Sequence, residues 1–510
     1  MPLFKISYLP PLLIYASAGV SGLTSIVGVF FIKDFLSLSA AFIASIGFWA
    51  GIPWALKMPI GFLIDRYWNF KQYFVYLGAL LVSISLLIMY GILVQKSFML
   101  EYLDIKIWFI LSSILTPIGY VLQDVVADAM TVEAVEPGFK NSSKKEKKEK
   151  TKKEHTIVQL YGRFAIIFGS LIVGLINLFI FKEVDVNYPN INLLYGKIYL
   201  YALIIPSISI SGILLFNFLN KNEKKVVKFK TTKLDYQIFL GSCTFVIFTI
   251  FLGTFNLLFS KEIILITSLL LIAILMRLLI KDLKKEDQHT IVGTAIIIFV
   301  FRALPSPGAG LNWYEIDVLG FDQSFFSVLS VTAALITLIG MLVLRKIMIS
   351  TPLAKLFIVL SIFSAILYTP SLLLYYEFHK YTSIVTNGLV DARFIAILNT
   401  AVESPLAQVA MIPLLAWIAK NAPSKYKATF FAVFASFTNI ALSARELFTS
   451  YLNKVFVISR EVLDKQSDEI LVTANYNDLD DLLFTLIILT LIVPLTTIYF
   501  IQKTKYKSTE

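Results

Sequence analysis

An all-α, polytopic membrane protein of about fourteen spans is the fold class this sequence predicts, and three observations predict it. The first is composition: of 510 residues, 57% are hydrophobic and only 15% charged, whereas about a quarter of a soluble domain is charged. The second is run length, because the apolar residues gather into stretches of the roughly 20 that a helix needs to cross a bilayer. The third is the placement of lysine and arginine, which alternate between rich and sparse connecting segments.

Taken in order, the first half supplies spans at about Pro10 to Ile32, Ala41 to Leu63, Tyr73 to Val94, Ile107 to Met130, Ile157 to Phe181 and Tyr199 to Phe218. Two more runs follow, Ile238 to Leu258 and Ile263 to Ile280. Beyond the basic break KDLKKEDQ come Ile291 to Trp313, Phe325 to Leu344, Leu356 to Tyr376, Phe394 to Ala419, Phe430 to Tyr451 and Leu482 to Ile501. The expected organisation is therefore a six-helix bundle over 1–220, a linker with two additional helices over 221–288, and a second six-helix bundle over 289–510. The apolar stretch opened by Pro10 and Pro11 is too long for a cleaved signal and reads as a retained first span.

With the N-terminus on the cytoplasmic side, the basic segments (Arg66 and Lys71, the lysine tract, Lys281 to Lys285, Arg345 with Lys346, Lys420 to Lys427, Lys503 to Lys507) all fall inside. Both termini are then cytoplasmic, and a plasma (inner) membrane is the expected location. The net charge of +11 is in this reading topological, not a nucleic-acid footprint. The segment 135–155, containing NSSKKEKKEKTKKEH, is expected to be a disordered cytoplasmic loop. The one cysteine, Cys243, allows no internal disulfide, and no metal or cofactor is expected. No P-loop is present, and the three histidines lie far apart in sequence, which argues against a membrane-embedded enzyme.

Ionisable and polar groups inside spans are the default functional candidates. PWALKMPIGFLIDR, over Pro53 to Arg66, puts Trp54, Lys57, Gly61 and Asp65 on one helical face. Trp54 and Lys57 lie within the span and are candidates for substrate binding. Gly61, which permits close packing, and Asp65 and Arg66 at the cytoplasmic edge are candidates for a gate. The fourth span ends QDVVADAMTVEAV, where Asp124 and Asp128 share a face and suit proton loading, since low dielectric raises a carboxyl's affinity for its proton. Glu133, at the helix end, joins the gate. Arg163 in the fifth span pairs with these acids or meets an anionic substrate. Arg302 precedes the break LPSPGAG; either the broken helix lines a cavity with its backbone dipoles, or it is a kink near the outer surface. Trp313 can stack on a flat ring. In ILNTAVESPLAQVAMIP, Glu403 is a proton-coupling candidate and Gln408 a substrate contact; the neighbouring Arg445 and Glu446 either serve that path or neutralise each other.

A repeat relates the halves: TSIVGVFFIKDFLSLSAAFIASIGF and PGAGLNWYEIDVLGFDQSFFSVLSV each run from small residues through aromatics and an acidic turn into a new helix. GFLIDRYWNFKQ has the small, acidic, basic form found between the second and third spans of major facilitator carriers. PWALKMPIGFLIDR, QDVVADAMTVEAV, ALPSPGAGLNWYEIDVLGF and AQVAMIPLLAWIAKNAP, in that order, resemble motifs of the folate-biopterin transporter family. The resemblance implies the major facilitator fold, with two six-helix bundles, and symport of a folate or pterin with protons by a monomeric carrier. It marks Pro53, Trp54, Lys57, Gly61, Asp65, Asp124, Asp128, Glu133, Pro305 and Pro307. The turn RYWNFKQ is less arginine-rich than the family's, and the two additional spans depart from it. A carrier of another solute, such as a muropeptide, nucleotide or amino acid, is the alternative.

Overall fold

The computed structural model describes residues 5–35, 39–55, 57–67, 70–134, 144–182, 191–220, 259–281, 283–344, 351–421, 427–463 and 470–508, with single positions in 240–251 and at 347. Apart from one short β ribbon, the described elements are helical, and ten of the helices are long and apolar enough to cross a membrane. Three further expected spans are present as helices that are interrupted or charged, and Ile238 to Leu258 lies mostly outside the described residues. The fold is that of an all-α polytopic membrane protein.

Contacts divide the chain into two compact units, one of Met1–Val27 with Pro59–Phe239 and one of Gly28–Met58 with Leu240–Glu510. In the first unit lie α1 (Leu9–Val20), α4 (Lys57–Arg66) from Pro59 on, α5 (Lys71–Val94), α6 (Lys96–Leu100), α7 (Ile105–Ala134), α8 (Lys144–Phe181), α9 (Ile191–Tyr201) and α10 (Ile204–Leu219). Pro10 and Pro11 open α1, where a missing N–H costs nothing. Its core joins Leu12 and Ile14 of α1 to Ile64, Val75, Val126, Met130, Val158 and Ile213. The α1–α8 contact is close because both sides are glycine: a Cβ on Gly19 would stand 2.0 Å from the Ile166 carbonyl oxygen, and one on Gly169 would stand 2.9 Å from that of Ala16. Small residues of this kind let helix backbones approach where lipid offers no hydrophobic drive.

The second unit holds α3 (Ala40–Ala55), reached from α2 (Ser25–Phe35), then α11 (Ser260–Ile280), α12 (Lys285–Arg302), α13 (Ala309–Asp317), α14 (Gln323–Val343), α15 (Leu353–Ile366), α16 (Thr369–Tyr375), α17 (Phe378–Val385), α18 (Ala392–Asn421), α19 (Lys427–Val455) and α20 (Leu479–Gln502). Asp322 caps α14 by accepting the Phe325 N–H at 2.8 Å. Gly308 precedes α13 at φ +74°, where a side chain would be strained and would meet Asn453 Oδ1 at 2.8 Å.

Two expectations change, and one feature is new. The segment 135–155 is not a loop throughout: from Lys144 it is the first part of α8. Lysine and glutamate are good helix formers, and Lys145–Glu149, Glu146–Lys150 and Glu149–Lys153 are pairs four apart, so a charged run need not be disordered. After α19 the chain forms a short antiparallel ribbon, β1 (Val462–Leu463) with β2 (Ile470–Val472). It is anchored by Tyr476, whose hydroxyl donates to Asp317 Oδ2 at 2.5 Å, and burial followed by that carboxylate pushes the Tyr476 phenol's pKa well up. Among the described residues nothing packs closely on Gly61, where a Cβ would meet Val125 Cγ1 at an ordinary 3.9 Å.

Gly19→Val should therefore destabilise the protein by at least about 1–3 kcal/mol, the usual cost of overpacking, while Gly61→Ala is tolerated. Thermal unfolding of the detergent-solubilised protein measures both.

Candidate functional site

Polar residues of the described spans gather around Tyr15 in the first unit and along α19 in the second. In the first unit the centre is Tyr15 of α1, 5% exposed. Its ring lies against Gly162 of α8, where a Cβ would stand 2.9 Å from it. Its hydroxyl donates to Asp128 Oδ1 of α7 at 2.5 Å. Asp124, one turn earlier on α7, and Arg163, next to Gly162 on α8, both act electrostatically on Tyr15. Asp124 and Asp128, predicted from the fourth span, and Arg163, predicted from the fifth, thus act on one phenol. Tyr15 itself was missed. Its signal is a hydroxyl inside the first apolar run, because a buried tyrosine tip needs a partner. Asp65, Arg66 and Glu133 are helical, but their side chains lie outside the described residues.

In the second unit α19 runs along α3. Asn439 Nδ2 donates to the Trp54 carbonyl at 3.1 Å, Ser443 Oγ lies 2.5 Å from where a Gly51 Cβ would stand, Glu446 Oε2 lies 2.9 Å from a Gly47 Cβ, and Ser450 Oγ donates to the Ala41 carbonyl at 2.8 Å. Lys57 Nζ sits 5.1 Å from the Trp54 ring centre, a cation–π arrangement that partly compensates an intramembrane ammonium.

The neighbouring face of α19 serves the broken helix. Arg302 Nε donates to the Thr438 carbonyl at 3.2 Å, Thr449 Oγ1 accepts the Ser306 N–H at 2.9 Å, and Asn453 Nδ2 donates to the Pro307 carbonyl at 3.2 Å. The Ser306 N–H and Pro307 carbonyl are therefore committed to α19, a case of irregular backbone at membrane depth satisfied by protein. Trp313 is 2% exposed and carries the Arg460 guanidinium 5.6 Å from its ring centre, so it is a wall and not an open stacking platform.

A third set surrounds Arg445. It interacts with Glu403 of α18, with Glu446, and with Tyr368 before α16, while Glu403 also acts on Glu315 of α13. Gln408, one turn beyond Glu403, is half-buried and leaves Oε1 without a hydrogen bond, as Asn399 does with Oδ1. Glu315 was not predicted, although it stands in the acidic turn of the repeat. A cavity of about 300 Å³ opens where α3, α13 and α19 meet, walled by Gly47, Gly308, Ala309, Asn312, Trp313 and Glu446.

A family model matches residues 18–508, nearly the whole chain, and it is that of the BT1 family. The chain belongs to the BT1 family. None of the curated proteins is a significant sequence match. Among solved structures, this BT1 family chain resembles a POT family transporter in complex with a thioalcohol-conjugated peptide (TM-score 0.64, 14% identity, 98% of this chain and 96% of that one). It also resembles the nucleoside transporter NupG (0.56, 10%, 97% and 99%) and a D-xylose-proton symporter (0.53, 16%, 99% and 98%). Identities this low show a shared fold. The family expectation is thereby corrected: the matching model is that of the BT1 family, and the structures this chain resembles include a peptide transporter, which gives no support to a folate or pterin cargo. The folate or pterin cargo is withdrawn.

Tyr15→Phe should cost about 1.5–3 kcal/mol, the range for a hydrogen bond to a charged group. Adding it to Asp128→Asn should cost less than the two single changes together, because they share one bond; a double-mutant cycle on thermal unfolding reads the coupling.

Proposed function

We propose that the chain is a secondary carrier that moves a small charged organic solute, of the peptide, amino-acid or nucleotide class, across a membrane by proton-coupled alternating access. The observation that carries the reading is the pair of acid sets within the spans, Asp124 and Asp128 around Tyr15, and Glu403 and Glu446 beside Arg445 with Glu403 acting on Glu315. Charges held in apolar spans mark substrate paths and proton relays. The resembling structures support it, since their titles name a peptide transporter, a nucleoside transporter and a proton symporter.

In this reading Asp124, Asp128 and Glu403 load and release protons, and Lys57, Arg163 and Gln408 meet the solute. Arg302 and Trp313 hold the broken helix that frames the path. Gly61, Asp65, Arg66 and Glu133 belong to a gate at the cytoplasmic ends of the spans, with both termini on that side. The functional halves are 1–220 and 289–510, with 221–288 as a linker between them, and the carrier acts as a monomer.

The test is uptake into proteoliposomes of a panel of labelled dipeptides, amino acids, nucleotides and pentoses, with and without an inward proton gradient. Wild type should accumulate a charged member of the panel only with the gradient. Asp128→Asn and Glu403→Gln should lose accumulation by at least about tenfold, equivalent to ~1.4 kcal/mol, while still exchanging solute across the membrane. Lys57→Ala should abolish uptake in protein that remains folded, and normal uptake by that variant would remove Lys57 from the path.

A further inference from the structure

The cavity in the second unit has an unusual lining for its chemistry. Most of its wall is apolar or backbone, from Val29, Ile43, Ala44 and the glycines; the polar side chains at its edge are Asn312 and Glu446, beside the Trp313 indole. Glu446 makes no hydrogen bond and no ion pair within 4.0 Å among the described residues. Its sequence neighbour Arg445 acts on it electrostatically but is shared with Glu403 and Tyr368. Adjacent helical positions point about 100° apart, and here Glu446 lines the cavity while Arg445 does not. From α11, Lys261 is engaged with Ser45 of α3 and is absent from the lining. Gly47 makes the arrangement possible, since its missing Cβ leaves the place that Glu446 fills.

We propose that this cavity binds a small organic cation, an ammonium on an apolar body, with the Glu446 carboxylate as its counter-charge. The chemistry selects against the other classes. An anion would face the Glu446 carboxylate, and among the described residues no cationic side chain lines the cavity; a sugar would leave most of its hydroxyls against apolar wall. An ammonium finds the Glu446 carboxylate and the Asn312 amide together against apolar wall, a charge-assisted pairing for its N–H groups and a surface for its apolar body. A volume of about 300 Å³ is at the lower end for ligand pockets and suits a one-ring or short-chain amine. The proposal rests on the carrier reading only in making this amine part of the transported solute; binding itself stands apart from it.

The experiment uses the full chain in nanodiscs, with benzylammonium as the probe and benzyl alcohol as its uncharged counterpart. Benzylammonium should raise the melting temperature of wild type in a saturable way, and benzyl alcohol should not. Glu446→Gln should weaken the apparent affinity at least about tenfold. Gly47→Ala, whose Cβ would stand 2.9 Å from Glu446 Oε2, should weaken it comparably and carries the test if Glu446→Gln does not fold. Glu377→Gln, on an exposed carboxylate paired with Lys380, should bind as wild type. Wild type that does not distinguish amine from alcohol, or a Glu446→Gln or Gly47→Ala variant with unchanged affinity, overturns the proposal. Uptake of the solute panel by the same proteins separates the two readings. Amine binding lost in the variants, with no solute moved by wild type, upholds the site and removes the carrier. Proton-driven uptake by wild type with no amine effect removes the site and leaves the carrier.

Discussion

A charge or hydroxyl inside hydrocarbon must find a partner within the protein, because lipid offers none, and much of the polar architecture of this chain follows from that. In the first unit the Tyr15 phenol and the Asp128 carboxylate satisfy each other at 2.5 Å, which places Asp124 and Arg163 around the same point. The close approach of α1 and α8 at Gly19 and Gly169 is the packing condition for it. Wider spacing of those helices would draw Tyr15 away from Gly162 and lengthen the bond to α7. Backbone proximity and polar chemistry are here one design feature.

The second unit meets the same constraint around a broken helix. Arg302, Pro305 and Pro307 interrupt the path from α12 to α13, and each exposed backbone group costs free energy unless it is bonded. Thr449 and Asn453 of α19 take up the Ser306 N–H and the Pro307 carbonyl, and the Thr438 carbonyl takes the Arg302 Nε–H. The break is thus a structural joint whose bonds are made before any solute arrives. The polar groups the joint leaves over are Glu446, which lines the cavity, and Glu403, Gln408 and Glu315.

The span pattern was legible because a bilayer imposes a length and a polarity on every crossing, and Asp124, Asp128 and Arg163 were legible because ionised groups are rare in such runs. Tyr15 was not, since tyrosine is common in apolar segments and only the fold shows which hydroxyl meets a carboxylate. The helicity of Lys144 to His155 was hidden by composition, because the lysine richness that suggests a solvated loop also suits a helix whose charges pair four apart. The contact boundary between Met58 and Pro59 passes through PWALKMPIGFLIDR, separating Trp54 and Lys57 from Gly61 and Asp65. Run length could not show it, because a contact division depends on what each stretch packs against, and for Gly28–Met58 that is α19. The motif that gave the folate-biopterin resemblance is shaped in part by this packing, which constrains fold and says little about cargo.

The richest signal left unread was on α19 itself. Asn439, Ser443, Glu446 and Ser450 recur at intervals of four, three and four, the spacing of one helical face, and on α3 their partners run in the opposite order: Trp54, Gly51, Gly47 and Ala41. Taken singly, Arg445 and Glu446 look like a pair of opposite charges cancelling each other. Taken as members of faces, they cannot be equivalent, because the Glu446 face is matched to glycines on α3 and its neighbour is not. A polar stripe of this length in a span predicts a partner helix with small residues in register, and α3 supplies Gly47 and Gly51 four apart. Three of the four contacts along the seam are neutral, so the carboxylate that borders the cavity is the member that packing alone does not require.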